Sequence, residues 1–257
     1  MLYIRYMKVF FITLLLFILS VNFGFGQAKV DTMEAHRLWV EGKSLGKDNK
    51  YFFAAKSFQK AGRLFEKSDF EVRYADCLLK EAKQYADMFL VTPKIPDLSN
   101  KALKIYQNKL GTRHLKVGIL YRQLGDYYKY NLGYNERVEA LFEKAAAIFK
   151  HKNNLWLAWI WNDLGNLYYR RAKYKQAIEY YNLCYQVLKI LLKPNDRRFF
   201  VYFSNIGNCS LEQRKYDLAI EYYKKALSFE TKKEGVFKNL GSFYLKQKKY
   251  AIALNYY

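Results

Sequence analysis

The sequence predicts an all-α fold, a right-handed α-solenoid of about six antiparallel helical hairpins whose last member is incomplete. A Leu-Gly or Ile-Gly pair recurs at Gly125, Gly165, Gly207 and Gly241, so that these glycines lie 40, 42 and 34 residues apart. Apolar residues between them recur at helical spacing, and turns such as Arg214-Lys215-Tyr216 split each repeat into two helices. A period of this length is typical of solenoids, in which each hairpin buries its apolar face against its neighbours.

Small residues stand at matching positions in the two helices of each hairpin. Ala177 follows Gly165 by twelve positions, and Ala219 follows Gly207 by the same interval. We predict that these small residues face each other where the paired helices approach closely, because overpacking there would cost roughly 1–3 kcal/mol. Aromatic residues one helical turn away, such as Tyr181, are predicted to fill the remaining core.

Residues 69–117 depart from the regular repeat. The pattern predicts a long helix from about Asp69 to Leu90 and a second helix over Ser99–Leu110. Between them we expect a loop holding Pro93 and Pro96, because proline interrupts the hydrogen bonding of a helix interior. This segment is therefore predicted to be an irregular hairpin within the array.

These spacings resemble the tetratricopeptide repeat (TPR). The pattern of aromatic, Leu, Gly and Tyr, then small, aromatic and small residues is met by Trp161, Leu164, Gly165, Tyr168, Ala177, Tyr181 and Cys184. The longer repeats are similar to those of kinesin light chains, which in exported bacterial proteins stand in front of CHAT or sensor-kinase domains. The resemblance implies an array over 28–257, with units near 35–68, 69–117, 118–157, 158–199, 200–233 and 234–257.

The N-terminal segment 1–27 reads as an export signal. Arg5 and Lys8 precede an apolar run over 9–21, and small residues place a cleavage site near Gly26/Gln27. The run is shorter than the roughly 20 residues that a membrane-spanning helix needs, so contact with a membrane is expected only if this segment stays uncleaved. We therefore expect an exported protein of the periplasm or cell envelope.

The composition is strongly basic, with a formal net charge of +21. Such a charge favours anionic partners, although scattered surface lysines in a composition biased toward Lys, Tyr, Phe and Asn need no ligand. Nucleic acid is an unlikely partner for an exported chain. The expected partner is a protein or peptide, of acidic character if the charge is functional, and the oligomeric state is left open.

No residue pattern predicts catalysis, a metal site or a cofactor. His36, His114 and His151 lie far apart and none has the spacing of a paired metal ligand. The three cysteines, Cys77, Cys184 and Cys209, fall inside helical patterns, and we expect small buried residues there rather than a disulfide, which export would permit.

The resemblance implies a peptide-binding groove on the first helices of the hairpins, at positions about three before, one after and four to five after each glycine. These positions and their neighbours hold Arg122, Asp126, Lys129 and Tyr130, then Asn162, Asn166, Tyr169 and Arg170, then Asn205 and Asn208, and finally Lys238, Asn239, Ser242 and Lys246. Asparagine carries donors and an acceptor that can bind a peptide main chain, or alternatively can tie neighbouring helices together. Arg122, Lys238 and Lys246 would select acidic residues. A carboxylate clamp is not indicated, because Asp126 would repel the ligand.

The predicted function is that of a non-enzymatic scaffold that binds a peptide or protein partner in this groove, in the cell envelope. The alternative is a sensor or regulatory region of a larger protein, with a CHAT protease-like or histidine-kinase effector after Tyr257. The last repeat stops midway through its second helix, which favours a fragment or an early-ended product. The mass of the native protein would distinguish the two functions.

Overall fold

The computed structural model describes residues 31–88, 92–150, 154–229, 234–246 and 248–256, with the side chains of 234–236, 239 and 246 left undescribed. The predicted export signal lies outside this part of the chain. The described part is helical, with helices joined in consecutive pairs as predicted. The helices are α1 (31–47), α2 (Tyr51–Lys67), α3 (Glu71–Asp87), α4 (Lys94–Leu110), α5 (Leu115–Leu132), α6 (Glu136–Phe149), α7 (Leu155–Arg170), α8 (Tyr174–Leu191), α9 (Phe199–Glu212), α10 (Tyr216–Leu227), α11 (Glu234–Lys246) and α12 (Tyr250–Leu254).

The chain forms two compact units, Met1–Thr112 and Arg113–Tyr257. In the first unit α2 packs against α3, and α3 against α4. Its apolar cluster includes Ala35 of α1, Phe65 of α2 and Cys77 of α3. The cluster forms because each of these amphipathic helices turns its apolar stripe toward its neighbours.

Proline positions in the first unit correct the predicted boundary of the irregular hairpin. Pro93 caps α4 and Pro96 is the third residue of this helix, so the helix begins before Ser99. The first backbone N–H groups of a helix have no intrahelical acceptor, and a proline there removes no hydrogen bond. The predicted loop around Pro96 was therefore wrong. We had applied the rule for proline in a helix interior, whereas Pro96 lies in the first turn.

In the second unit each helix from α5 to α12 packs against the next, and α9 also contacts α11. The second helices supply large buried aromatic residues, among them Phe142, Tyr181 and Tyr223, each at most 2% exposed. The predicted all-α architecture of stacked antiparallel hairpins is confirmed.

The atoms nearest to the repeat glycines belong to aromatic rings of the partner helix. A Cβ atom built on Gly165 would lie 2.5 Å from Cε1 of Tyr181, and one built on Gly207 would lie 2.7 Å from Cδ1 of Tyr223. Ala177, the small residue predicted to lie opposite Gly165, is itself fully buried. The glycine therefore leaves space for an aromatic ring of the partner helix, and this ring packs directly against the backbone of the first helix.

The three cysteines are buried free thiols. Burial raises the pKa of each thiol, Cys77, Cys184 and Cys209, to about 12. A thiol in such surroundings stays protonated at neutral pH and is inert, since the thiolate is the reactive form. The cysteines therefore serve as small core residues, as predicted.

Candidate functional site on the first helices of the second unit

The first helices of consecutive hairpins in the second unit are joined by polar side chains. Lys129 of α5 donates to Asp163 of α7 at 2.9 Å, and Nδ2 of Asn205 in α9 donates to Oδ1 of Asn162 in α7 at 3.0 Å. These contacts join α5 to α7 and α7 to α9. We use the name α5–α9 face for the surface of these helices that carries the contacts, with Arg122, Asp126, Lys129, Asn162, Asp163 and Asn205.

Four charges form a cluster between α5 and α7. Lys129 bridges Asp126 and Asp163, with a distance of 2.9 Å to each carboxylate, and Arg122 lies 3.3 Å from Asp126 and 3.7 Å from Asp163. Asp163 is 7% exposed and was not among the predicted site residues. Asp163 is the single acidic residue of α7, in a helix rich in apolar and aromatic side chains, and this signal could have identified it, because a buried charge requires a partner.

Burial and pairing act in opposite directions on this cluster. Burial raises the pKa of the Asp163 carboxyl, against the opposing effect of the Lys129 ammonium. Burial also opposes the charge on Lys129, but the two carboxylates outweigh it and raise the pKa of this amine. Lys129 is therefore charged at all physiological pH values and holds α5 to α7.

Arg122 is held between charges and rings. Its guanidinium carbon lies 5.3 Å from the ring centroid of Trp156 and 5.5 Å from that of Trp159. These distances are within the range of cation–π attraction. The charges of Asp126 and Asp163 already balance those of Arg122 and Lys129. Arg122 is therefore poorly suited to the selection of acidic ligands that we had predicted for it.

The asparagines beside the repeat glycines serve the fold. The Tyr181 hydroxyl donates to Oδ1 of Asn166 at 2.9 Å, and the Tyr223 hydroxyl donates to Oδ1 of Asn208 at 2.6 Å. Each bond ties the first helix of a hairpin to its second helix. With Oδ1 engaged, Asn166 offers a ligand its Nδ2 group as a donor. Of the two roles open to these asparagines, the tie between helices is present in the structure.

A cleft of about 550 Å³ opens at the carboxyl-terminal ends of α5 and α7. Its lining comprises Lys129, Tyr130, Gly133, Tyr134, Asp163, Asn166, Arg170 and Arg171. Arg170 is exposed at its rim, with its guanidinium carbon 5.2 Å from the centroid of the Tyr134 ring. The lining is rich in donors, and its single carboxylate, Asp163, is already paired with Lys129.

The remaining predicted positions differ in their surroundings. Tyr169 lies beside Tyr174, with ring centroids 5.7 Å apart, and burial raises the pKa of Tyr169 to about 12. Lys238 and Ser242 lie one turn apart on α11, where Lys238 is exposed and Ser242 half-buried. The side chains predicted at 239 and 246 lie outside the described residues, so the site is drawn from α5, α7 and α9.

Glu139 of α6 fixes the wall of the cleft. It accepts hydrogen bonds from the Tyr168 hydroxyl at 2.5 Å and from Arg171 at 2.6 Å. Burial acts to raise the pKa of Glu139, but these two donors outweigh it and hold the pKa below its ordinary value. Both donors belong to the carboxyl-terminal part of α7 and the turn that follows it, so Glu139 joins consecutive hairpins.

This arrangement predicts a pH-dependent contribution to stability. A lowered pKa in the folded state adds stability that is fully present above the unfolded value of about 4.3 and is lost as the pH falls through the folded value. We expect Glu139→Gln to lower the free energy of unfolding by about 1.5 kcal/mol at pH 7, in urea titrations followed by circular dichroism. The difference from the parent protein should shrink between pH 5 and pH 3, about the range where the carboxylate is protonated.

Glu143→Gln is the matched control, because Glu143 is exposed on the same helix. It should shift the unfolding free energy by less than about 0.5 kcal/mol at any of these pH values. A difference between Glu139→Gln and the parent that stays constant from pH 7 to pH 3 would contradict the assigned role of the carboxylate.

The described part of the chain contains neither a candidate metal site nor a candidate membrane-spanning helix. Its His, Cys, Asp and Glu residues include no group of three or more that could hold a metal ion. Within those residues, none of the helices combines the length and hydrophobicity needed to span a membrane.

Comparison with known proteins agrees with this geometry. Two sequence models of the tetratricopeptide repeat match residues 135–190 and 201–230. Nothing among the curated proteins matches the sequence.

Several solved structures share the fold. The nearly identical TPR-like repeats assigned to a kinesin light chain of Podosopora anserina are 12% identical, with a TM-score of 0.62 over 76% of this chain and 93% of that one. Aspartyl phosphate phosphatase F from Bacillus subtilis is 15% identical, with a TM-score of 0.66 over 93% of this chain and 72% of that one. PilF of Pseudomonas aeruginosa is 13% identical, with a TM-score of 0.60 over 88% of this chain and 90% of that one.

The chain contains tetratricopeptide repeats over 135–190 and 201–230, and its fold is similar to that of the TPR-like repeats assigned to a kinesin light chain. Repeats of this class form protein–protein interaction scaffolds, and no enzymatic family is indicated.

Proposed function

We propose that this protein binds an acidic peptide segment of a partner protein on the α5–α9 face, with the cleft at the ends of α5 and α7 as the main contact. The observation that carries the proposal is the exposed Arg170 at the rim of a cleft whose one carboxylate is already paired. A carboxylate of the ligand would find a free guanidinium there, with the amide of Asn166 beside it.

Aromatic side chains flank this contact. Tyr130 is 83% exposed at the cleft, and Trp159 is 40% exposed beside Arg122. Exposed Tyr and Trp near Arg are the residues that most often dominate the binding energy of an interface. The face thus offers cations for an acidic residue and rings for the apolar side chains next to it. The predicted export signal supports the cell envelope as the place of this interaction.

The test starts from a random peptide library panned against the immobilised full chain, with affinities of the selected peptides measured by fluorescence anisotropy. We expect selected peptides rich in Asp and Glu. Arg170→Glu should weaken their binding about ten- to hundredfold, because a hydrogen bond to a charged group contributes roughly 1.5–3 kcal/mol. Binding should also weaken as the salt concentration rises.

Lys224→Glu is the matched control for this experiment. Lys224 is an exposed cation in the last turn of α10, as Arg170 is in the last turn of α7, and it lies outside the cleft. Equal losses in the two variants would show that only the net charge matters. Selected peptides without an excess of acidic residues would also overturn the proposal.

A further inference from the structure

Three turns of the second unit share one backbone conformation. The turns α7–α8, α9–α10 and α11–α12 each contain a residue with a left-handed φ, namely Ala172 at 57°, Arg214 at 60° and Lys248 at 59°. In each turn the next residue is a lysine whose N–H donates at 2.9 Å to the carbonyl oxygen five residues earlier. The three lysines therefore occupy equivalent places at the same end of consecutive hairpins.

These turns concentrate positive charge. Six exposed cations belong to these turns or, for Lys175, to the start of the helix that follows, and we call this set the basic edge: Lys173, Lys175, Arg214, Lys215, Lys248 and Lys249. Adjacent turns are close in space, because Arg214, Lys215 and Lys249 line one cleft of about 540 Å³. The edge is thus a continuous charged surface at least over its last two turns.

Few carboxylates oppose these charges. Asp217 lines the same cleft, and Glu212 is near enough to Tyr174 to raise the pKa of its hydroxyl, together with burial. Both carboxylates are exposed. Glu139 also interacts electrostatically with Lys173, although it is already paired with Arg171. Six cations against these three carboxylates leave the edge with a net positive charge, and so with an attraction for anionic groups.

Apolar and aromatic side chains stand among the cations. Tyr216 is 40% exposed and Leu218 is 39% exposed at the start of α10, and Ile252 is 41% exposed at the start of α12. The phosphates of an anionic polymer such as nucleic acid make no favourable contact with exposed Leu and Ile side chains. A lipid surface accommodates both kinds of side chain, because cations meet the headgroups while apolar and Tyr side chains enter the interfacial layer.

We propose that the basic edge docks on the surface of a bilayer that contains anionic lipids. The α7–α8 turn directly follows Arg170 and Arg171, which line the peptide cleft, so the proposal is tested on the last two turns. Lys215, Lys248 and Lys249 of these turns do not line that cleft, and their substitution tests lipid docking independently of the proposed peptide binding. Docking requires no membrane-spanning segment, since the contact is made by side chains at the ends of packed hairpins.

The test is flotation of the full chain with vesicles of phosphatidylcholine alone, or of phosphatidylcholine with phosphatidylglycerol. The triple variant Lys215→Gln, Lys248→Gln and Lys249→Gln removes three charges from the edge. We expect its partition to anionic vesicles to be about a hundredfold lower than that of the parent chain, as the typical contribution of each lysine near such a surface implies.

The control variant carries Lys60→Gln, Lys101→Gln and Lys104→Gln, three exposed lysines of the first unit, so its net charge is the same. It should partition within about threefold of the parent, because these lysines are not in the edge. Because the N-terminal apolar segment is present in all three chains, any membrane binding of its own is common to them.

Two results would overturn the proposal. One is equal partition of the edge variant and the control variant. The other is an edge variant that floats with anionic vesicles like the parent but loses binding to a single-stranded oligonucleotide, which would assign the edge to nucleic acid. Circular dichroism of both triple variants should match the parent, since all the substituted side chains are exposed.

Discussion

Asp163→Asn is expected to lower the free energy of unfolding by about 3 kcal/mol, the largest effect among the single substitutions considered for this protein. The change keeps the shape of the side chain and removes its charge. Lys129 and Arg122, with side chains only 11% and 19% exposed, would then share the single carboxylate of Asp126. A buried charge left without its partner is costly, so α5 and α7 would lose much of the energy that joins them.

The measurement is equilibrium unfolding in urea at neutral pH, followed by circular dichroism. Asp126→Asn serves as the comparison, because Asp126 is more exposed and Lys129 keeps Asp163; a loss of about 1 kcal/mol is expected. The double variant Asp163→Leu with Lys129→Met should recover most of the stability, since an apolar pair can replace a buried ion pair. If Asp163→Asn were no more harmful than Asp126→Asn, the charge cluster would not be what joins the two helices.

Gly165→Ala is expected to lower the free energy of unfolding by about 2 kcal/mol, although alanine favours a helix by about 1 kcal/mol over glycine. The new Cβ would lie 2.5 Å from Cε1 and 2.6 Å from Cδ1 of Tyr181. That ring is 2% exposed, and its hydroxyl is held by Asn166. Because the ring has no room to retreat, the two helices of the hairpin would have to move apart.

Gly62→Ala is the matched control, a helical glycine of the first unit. Its Cβ would lie 3.3 Å from Cβ of Cys77, a far smaller intrusion. Cys77 would have to shift by only a few tenths of an ångström, and the helix preference for alanine offsets this cost, so the stability should stay within about 1 kcal/mol of the parent in either direction. Comparable losses in the two variants, measured by urea unfolding, would refute the idea that the aromatic ring sets the glycine requirement.

The two proposals are tested on different residues of the second unit. Arg170 is the residue whose loss is expected to weaken peptide binding, while Lys215, Lys248 and Lys249 are those expected to matter for lipid binding. If both proposals hold, the Arg170→Glu variant still floats with anionic vesicles and the edge variant still binds the selected peptides. The protein would then hold a partner at a membrane surface by two separate contacts.

Most of the repeat pattern was readable from local sequence. Gly165 and its equivalents, with helical spacing of apolar residues on both sides, predicted paired helices, because helix periodicity is a property of neighbours along the chain. The boundary at Pro96 failed for an equally local reason, since a proline in the first turn of a helix obeys a different rule from one in its interior.

The hydrogen-bonding partners of individual polar side chains could not be predicted from the sequence. Asn166 and Asn208 were predicted to lie on the groove, and the structure assigns their Oδ1 atoms to Tyr181 and Tyr223, fifteen residues away in each case. Asp163 was missed altogether, because its partner Lys129 is 34 residues away in the chain.

The repeat period, the helical hairpins and the inert cysteines thus follow from the residues themselves, because spacing and hydrophobicity act over one or two helical turns. Which side chain each glycine accommodates, which charges cancel and which cation stays exposed at the cleft depend on how the hairpins stack. That stacking brings residues of different repeats within 3 Å of each other, as it does Lys129 and Asp163. Only the packed structure leaves Arg170, and not Arg122, as the cation exposed to a ligand.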